Sequence, residues 1–184
     1  MDRKAMYYHL FMKIARLILI ILAAIVLPPT AAGREPQKGY RGFVDAGVDL
    51  SFRRGYYGNR TVTVYYGIAT SHGYQFNRHF FLGAGVMYER VHRDSYFDGS
   101  EYPVYLHART DWTLGRFPVY GDLRIGGVIF GDQRLYISPT VGYRLSLSRK
   151  SNLNFGIGMN FRGYGWSDQK TLHPQLAIRV GIDF

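Results

Sequence analysis

Histidine beside a hydroxyl is the combination in this chain that comes nearest to hydrolytic chemistry. Ser71 precedes His72, and His92 stands close to Asp94 and Ser95. A working nucleophile needs a base within about 3 Å and a third group that orients the base. No nucleophile elbow accompanies either pair, so no catalytic site is expected. His72, His79, His92, His107 and His173 are scattered without the spacing of a zinc site, and neither a metal nor a cofactor is expected.

The second pattern is charge placed at even spacing. Arg41, Asp45 and Asp49 share one strand face, as do Arg109 and Asp111, Asp122 and Arg124, and Arg179 and Asp183. Almost all strand-borne positive charge is arginine, whose planar fork pairs with several carboxylates in a confined space. Arg41, Arg109, Arg124, Arg144, Arg162 and Arg179 match Asp45, Asp49, Glu89, Asp111, Asp122 and Asp183 in number. The expectation is an ion-pair network inside the protein, with His107 on the same face as a hydrogen-bonded member.

The elements that must position these residues are strands. The segment Pro174–Phe184 sets Leu176, Ile178, Val180, Ile182 and Phe184 against Gln175, Ala177, Arg179, Gly181 and Asp183. That is an oily face opposite a charged one at period two. About eight such strands are expected, at 39–52, 61–74, 79–91, 102–112, 118–130, 134–147, 152–163 and 174–184. Short turns fall near 75–78, 113–117 and 148–151. Longer loops at 53–60, 92–101, 131–133 and 164–173 carry Arg53, Arg54, Tyr56, Tyr57, Arg60, His92, Arg93, Tyr96, Phe97, Asp98, Glu101, Trp166 and Asp168.

Alternation does not by itself say which face points inward, since a lipocalin-like barrel puts its apolar face inside. Three features favour apolar-out. Tyr40, Phe52, Phe80, Tyr88, Trp112, Phe155, Phe161 and Phe184 sit toward strand ends on the apolar face, as membrane girdles do. Glycines such as Gly47, Gly67, Gly126, Gly142 and Gly158 crowd the charged face, leaving room for arginine. The charges on that face balance, as buried charges must. The fold expected is an all-β, eight-stranded antiparallel up-and-down transmembrane β-barrel whose lumen is plugged by its own side chains. Pro139 fits poorly in mid-strand, where it marks a bulge or a later strand start.

The amino-terminal segment has a different character. Lys13 and Arg16 precede the apolar run Leu17–Leu27, and Thr30-Ala31-Ala32-Gly33 supplies small residues for cleavage. This is the pattern of a secretory signal peptide over residues 1–33, with Met12 as an alternative start. Residues 34–38 form a lead-in and residues 39–184 the barrel. With 23 Lys and Arg against 13 Asp and Glu, the net charge is +10. The basic residues are spread through the strands rather than gathered in one patch, which argues against nucleic acid as a partner. The chain has no cysteine, which removes a disulfide framework and a lipid-modified cysteine alike.

The runs Gly73-Tyr-Gln-Phe-Asn-Arg-His-Phe-Phe-Leu-Gly-Ala-Gly85, Tyr136-Ile-Ser-Pro-Thr-Val-Gly-Tyr-Arg144 and Gly181-Ile-Asp-Phe184 carry a family resemblance. Over residues 39–184 the chain resembles the small outer-membrane β-barrels of Gram-negative bacteria, OmpA-like and OmpX-like. It is similar above all to the single-domain barrels common in Bacteroidetes. The resemblance implies a bacterial outer-membrane location and contact with membrane lipid and lipopolysaccharide. It also implies passage through the barrel assembly machinery, with Phe184 as part of the assembly signal. It implies a structural or surface-interaction role without catalysis. A narrow porin-like channel, or a lipid-modifying enzyme on the same scaffold, are the alternatives.

Overall fold

Alternating side chains and short polar turns produce an antiparallel meander. The protein is described by a computed structural model that covers residues 37–54, 60–93, 99–115, 117–129, 133–148, 151–164 and 172–184. The signal-peptide segment 1–33 lies outside the described residues, as do the loop residues Tyr56, Tyr57, Asp94, Ser95, Tyr96, Phe97, Trp166 and Asp168. The strands are β1 (Gly39–Arg54), β2 (Arg60–Gln75), β3 (Phe80–Arg93), β4 in two segments (Gly99–Glu101 and Pro103–Leu114), β5 (Phe117–Val128), β6 (Gln133–Ser146), β7 (Asn152–Tyr164) and β8 (Leu172–Asp183).

Each strand pairs antiparallel with the next, and β8 pairs with β1 to close an eight-stranded barrel. The seam is completed by Phe184, whose N–H donates to Gly42 O at 3.0 Å while its carbonyl accepts from Gly42 N at 2.9 Å. Closure leaves no open edge whose backbone groups would need other partners.

The stagger follows from the pairing. A circuit from Gly39 passes through Gln75, Phe81, Arg109, Asp122, Thr140, Gly158 and Ala177 and returns to β1 at Asp49, ten residues further on. A shear of ten in eight strands corresponds to a strand tilt of about 40°. Such a barrel is just wide enough for side chains to fill it.

Three tight turns gather at one end. Asn77 Oδ1 accepts from the backbone N–H of His79 and Phe80 at 2.8 and 2.9 Å, which fixes the β2–β3 turn. Gly115 supplies the positive φ of +64° between β4 and β5. Between β6 and β7, Leu147 N and Ser148 N both donate to Ser151 O at 3.0 Å. This is called the turn end below, and the opposite end the loop end.

Several boundaries differ from the sequence-based expectation. Arg53, Arg54, Arg60, His92 and Arg93 belong to strands rather than to loops, with Arg54 paired to Arg60 and with His92 and Arg93 paired to Val64 and Thr63. Glu101 likewise lies in β4, opposite Glu89. Tyr102 interrupts β4 just before Pro103, yet Glu89↔Glu101 and Val86↔Val104 keep one register across the break. Pro139 shifts no register. It pairs with Leu123 on β5, and the β6–β7 ladder lapses from Ser138 to Pro139, where the proline has no N–H, then resumes in step at Thr140↔Gly158. The irregularity in β6 falls between Gln133 and Leu135 instead.

The faces divide by character. Outward and exposed at mid-height are Ile68, Leu82, Val86, Leu106, Ile125, Val141 and Ile157. Tyr40, Tyr74, Phe76, Phe80, Trp112, Phe117 and Phe184 ring the turn end, and Phe52, Tyr66, Tyr88 and Tyr102 ring the loop end. Tyr40 and Phe52 are separated by twelve residues on β1. At roughly 3.3 Å per residue and the tilt above, the two rings stand about 30 Å apart along the axis. The buried side chains are chiefly charged, amide and aromatic, the reverse of a water-soluble core.

Candidate functional site: the barrel interior

Period two along each strand sends one residue in two into the barrel. All twelve charged residues singled out above are buried there: Arg41, Asp45 and Asp49 on β1, Glu89 on β3, Arg109 and Asp111 on β4, Asp122 and Arg124 on β5, Arg144 on β6, Arg162 on β7, and Arg179 and Asp183 on β8. They form three hydrogen-bonded clusters stacked along the axis.

The turn-end cluster centres on Asp111. Its Oδ2 accepts from Arg41 Nη1 at 2.6 Å, and its Oδ1 accepts from Arg144 Nη1 at 3.0 Å and Arg109 Nε at 3.2 Å. Arg41 also donates through Nε to Asp183 at 2.9 Å and through Nη1 to Gln75 Oε1 at 2.9 Å. Asp183 takes further bonds from Asn152 at 3.1 Å and Asn154 at 2.8 Å. One carboxylate facing three guanidinium groups is thus supported by a second and by amides.

An aromatic layer lies over this cluster. Phe43 and Phe81 meet edge to face at 4.9 Å. Arg41 and Arg109 lie 4.7 and 5.0 Å from the centre of the Phe43 ring, and Arg109 lies 3.7 Å from that of Tyr120. Aromatic faces accept these cations while excluding water.

The middle cluster joins β4, β5 and β1. His107 Nε2 is 2.7 Å from Asp122 Oδ2. Arg124 donates to Asp122 Oδ1 at 3.3 Å and to Asp45 Oδ2 at 2.6 Å. The Tyr105 hydroxyl lies 3.4 Å from Arg124 Nη1 and 3.1 Å from Ser71 Oγ.

The loop-end cluster centres on Arg162. Its Nη2 donates to Glu89 at 2.5 Å and Asp49 at 3.4 Å, and its Nη1 to Glu101 at 2.7 Å. Asn160 Nδ2 donates to Asp49, and Arg179 Nη2 donates to Asn160 Oδ1 at 3.0 Å, Tyr136 OH at 2.8 Å and Ser138 Oγ at 2.6 Å. The Arg162 guanidinium packs 4.6 Å from the Tyr65 ring centre.

The histidine–hydroxyl pairs do not assemble. Ser71 faces the interior and is fully buried, whereas its neighbour His72 faces outward, bonded to Tyr40 OH at 2.6 Å and Thr70 Oγ1 at 2.9 Å. Strand alternation separates any two consecutive residues in this way. His92 also faces outward. His107 carries an aspartate partner but is enclosed by Phe43 and Phe81, with ring centres at 5.1 and 5.2 Å. Among the described residues, no cluster of three or more histidine, aspartate or glutamate side chains is arranged to hold a metal.

Glu101, Gln75, Asn152 and Tyr65, which carry no role in the sequence-based expectation, also join the interior. The amides and tyrosines carried the same period-two signal as the arginines. Glu101 was hidden because the irregular stretch before Pro103 resembled a loop.

Taken together, the closed meander and its reversed core define a class: an eight-stranded antiparallel β-barrel of the kind found in small outer-membrane proteins. No family model and no curated protein matches the chain. Among solved structures it is similar to Neisserial surface protein A (NspA), with a TM-score of 0.59 and 15% sequence identity over 79% of this chain and 96% of that one. At that identity the likeness is one of fold.

Proposed function

We propose that the chain is an integral protein of the bacterial outer membrane, with a plugged interior and a structural or surface-binding role rather than a catalytic one. The observation that carries this is the reversed core. A belt of exposed aliphatic side chains, bounded by aromatic rings about 30 Å apart, matches the thickness of a hydrocarbon layer. In water such a belt would be a large aggregation-prone surface. In lipid it needs no other partner, and closure pairs the strand backbones with one another around the ring.

In this reading residues 1–33 direct export, both barrel termini and the three turns face the periplasm, and the loops face outward. Membrane lipid and lipopolysaccharide surround the belt, and the barrel assembly machinery inserts it, with Phe184 contributing to recognition. Ion pairs and aromatic layers that cross the interior from all sides support a closed lumen over a porin-like one. The fold itself hosts many roles, so no ligand follows from it.

Membrane fractionation with gel migration before and after boiling tests the reading. The chain should sediment with outer membranes and migrate faster unboiled. Recovery from aqueous extract without detergent would overturn it. Planar-bilayer recording tests the plug: a steady open state of nanosiemens size would refute it.

A further inference from the structure

The middle and loop-end clusters are separated by a small, partly open cavity of about 10 Å³, part of whose wall is the apolar pair Ala69 and Met87. Asp45 and Arg124 reach it from the middle cluster, Asp49, Glu89 and Arg179 from the loop-end cluster, and Gly47 from the wall. Arg179 is 6% exposed. The two N–H groups of its Nη2 are shared among three acceptors, whereas its Nη1 is buried with no hydrogen-bond partner among the described residues. A guanidinium N–H held in this state is costly unless something accepts from it.

We propose that this cavity is a binding site for a single water molecule, which accepts from Arg179 Nη1, donates to the carboxylates opposite, and so joins the two clusters. Volume and chemistry both select water. About 10 Å³ is the space of one water-sized sphere, and a buried water needs two to four polar partners. Three carboxylates disfavour an anion, and two guanidinium groups disfavour a cation. A neutral molecule that both donates and accepts satisfies both kinds of wall. The inference concerns the protein interior alone and holds whatever the barrel binds outside.

A high-resolution crystal structure of the detergent-solubilised barrel, with a parallel sodium bromide soak, tests it. A single peak at hydrogen-bond distance from Arg179 Nη1 and from a wall carboxylate, without bromide anomalous signal, is expected. A featureless cavity or an anomalous bromide peak would overturn the proposal. Gly47→Ala gives a second readout. Its methyl would sit in ordinary van der Waals contact, 3.4 Å from the backbone oxygen of Ile178 and 3.5 Å from Arg179 Cγ, and would crowd the water. Losing the water should remove the peak and lower the urea midpoint. A midpoint equal to or above the parent's means that dry space was filled, which contradicts a bound water.

Discussion

Arg162→Leu is the most demanding perturbation of the interior. The guanidinium is fully buried and holds Glu89, Glu101 and Asp49 at 2.5, 2.7 and 3.4 Å, tying β7 to β3, β4 and β1. Leucine removes the cation and leaves three carboxylates facing one another. Breaking a buried pair by deleting one partner costs about 3–5 kcal/mol, because the remaining charge is stranded. Here the loss belongs at the upper end, since Asp49 keeps only neutral Asn160 as a hydrogen-bond donor among the contacts described. With a urea slope of about 2 kcal/mol/M, the midpoint should fall by roughly 2 M. Unfolding can be followed by Trp fluorescence and by the boiled-versus-unboiled gel shift. Neutralising Glu89 in the same background, as Arg162→Leu with Glu89→Gln, should restore part of the loss, because it removes one of the stranded charges. Arg162→Lys should fall between, since an ammonium keeps the charge but lacks the fork. A midpoint moved by less than about 0.5 M in Arg162→Leu would show that the cluster is hydrated and contributes little.

Three further outcomes probe other parts of the fold. Ile178→Arg, on the outward face of β8 between Val48 and Ile157, should cost roughly 2–4 kcal/mol if it lies at mid-membrane depth, and should impair assembly into the heat-modifiable form. Normal assembly would mean that the position is not in contact with lipid. Gly126→Ala would bring a methyl within 1.9 Å of Val104 O and 2.6 Å of Tyr105 Cα, so the β4–β5 pair must part. A loss of about 1–3 kcal/mol in urea titrations is expected, whereas Gly99→Ala, with open space around it, should leave the midpoint unchanged. Deleting Phe184 removes two backbone bonds at the β1–β8 seam and should cost about 2 kcal/mol and slow folding into vesicles. Unaltered folding kinetics and stability would show that the seam closes without it.

Much of this architecture was legible in the residue order because period two is a local property. Arg41, Phe43, Asp45 and Asp49 had to share a face whatever they met across the barrel, and so did Val44, Ala46 and Val48. The turns were legible for the same reason, since Asn77 and Gly115 act on their immediate neighbours. Glu101 and Pro139 escaped because their status depends on a neighbouring strand. Glu101 is a strand residue only because β3 pairs with it, and Pro139 is tolerated only because the ladder to β7 lapses beside it.

By itself the sequence determined strand number, the two faces and the charge inventory, since each depends on residue type and spacing along one chain. Only the tertiary structure decided which partners those charges found. Arg124 meets Asp45 across 79 positions of sequence, and Arg162 meets Glu89 across 73. Those meetings depend on the shear of the closed barrel, which is a sum over eight strand registers. No single strand encodes that sum, so the clusters and the cavity between them exist only once the ring has closed.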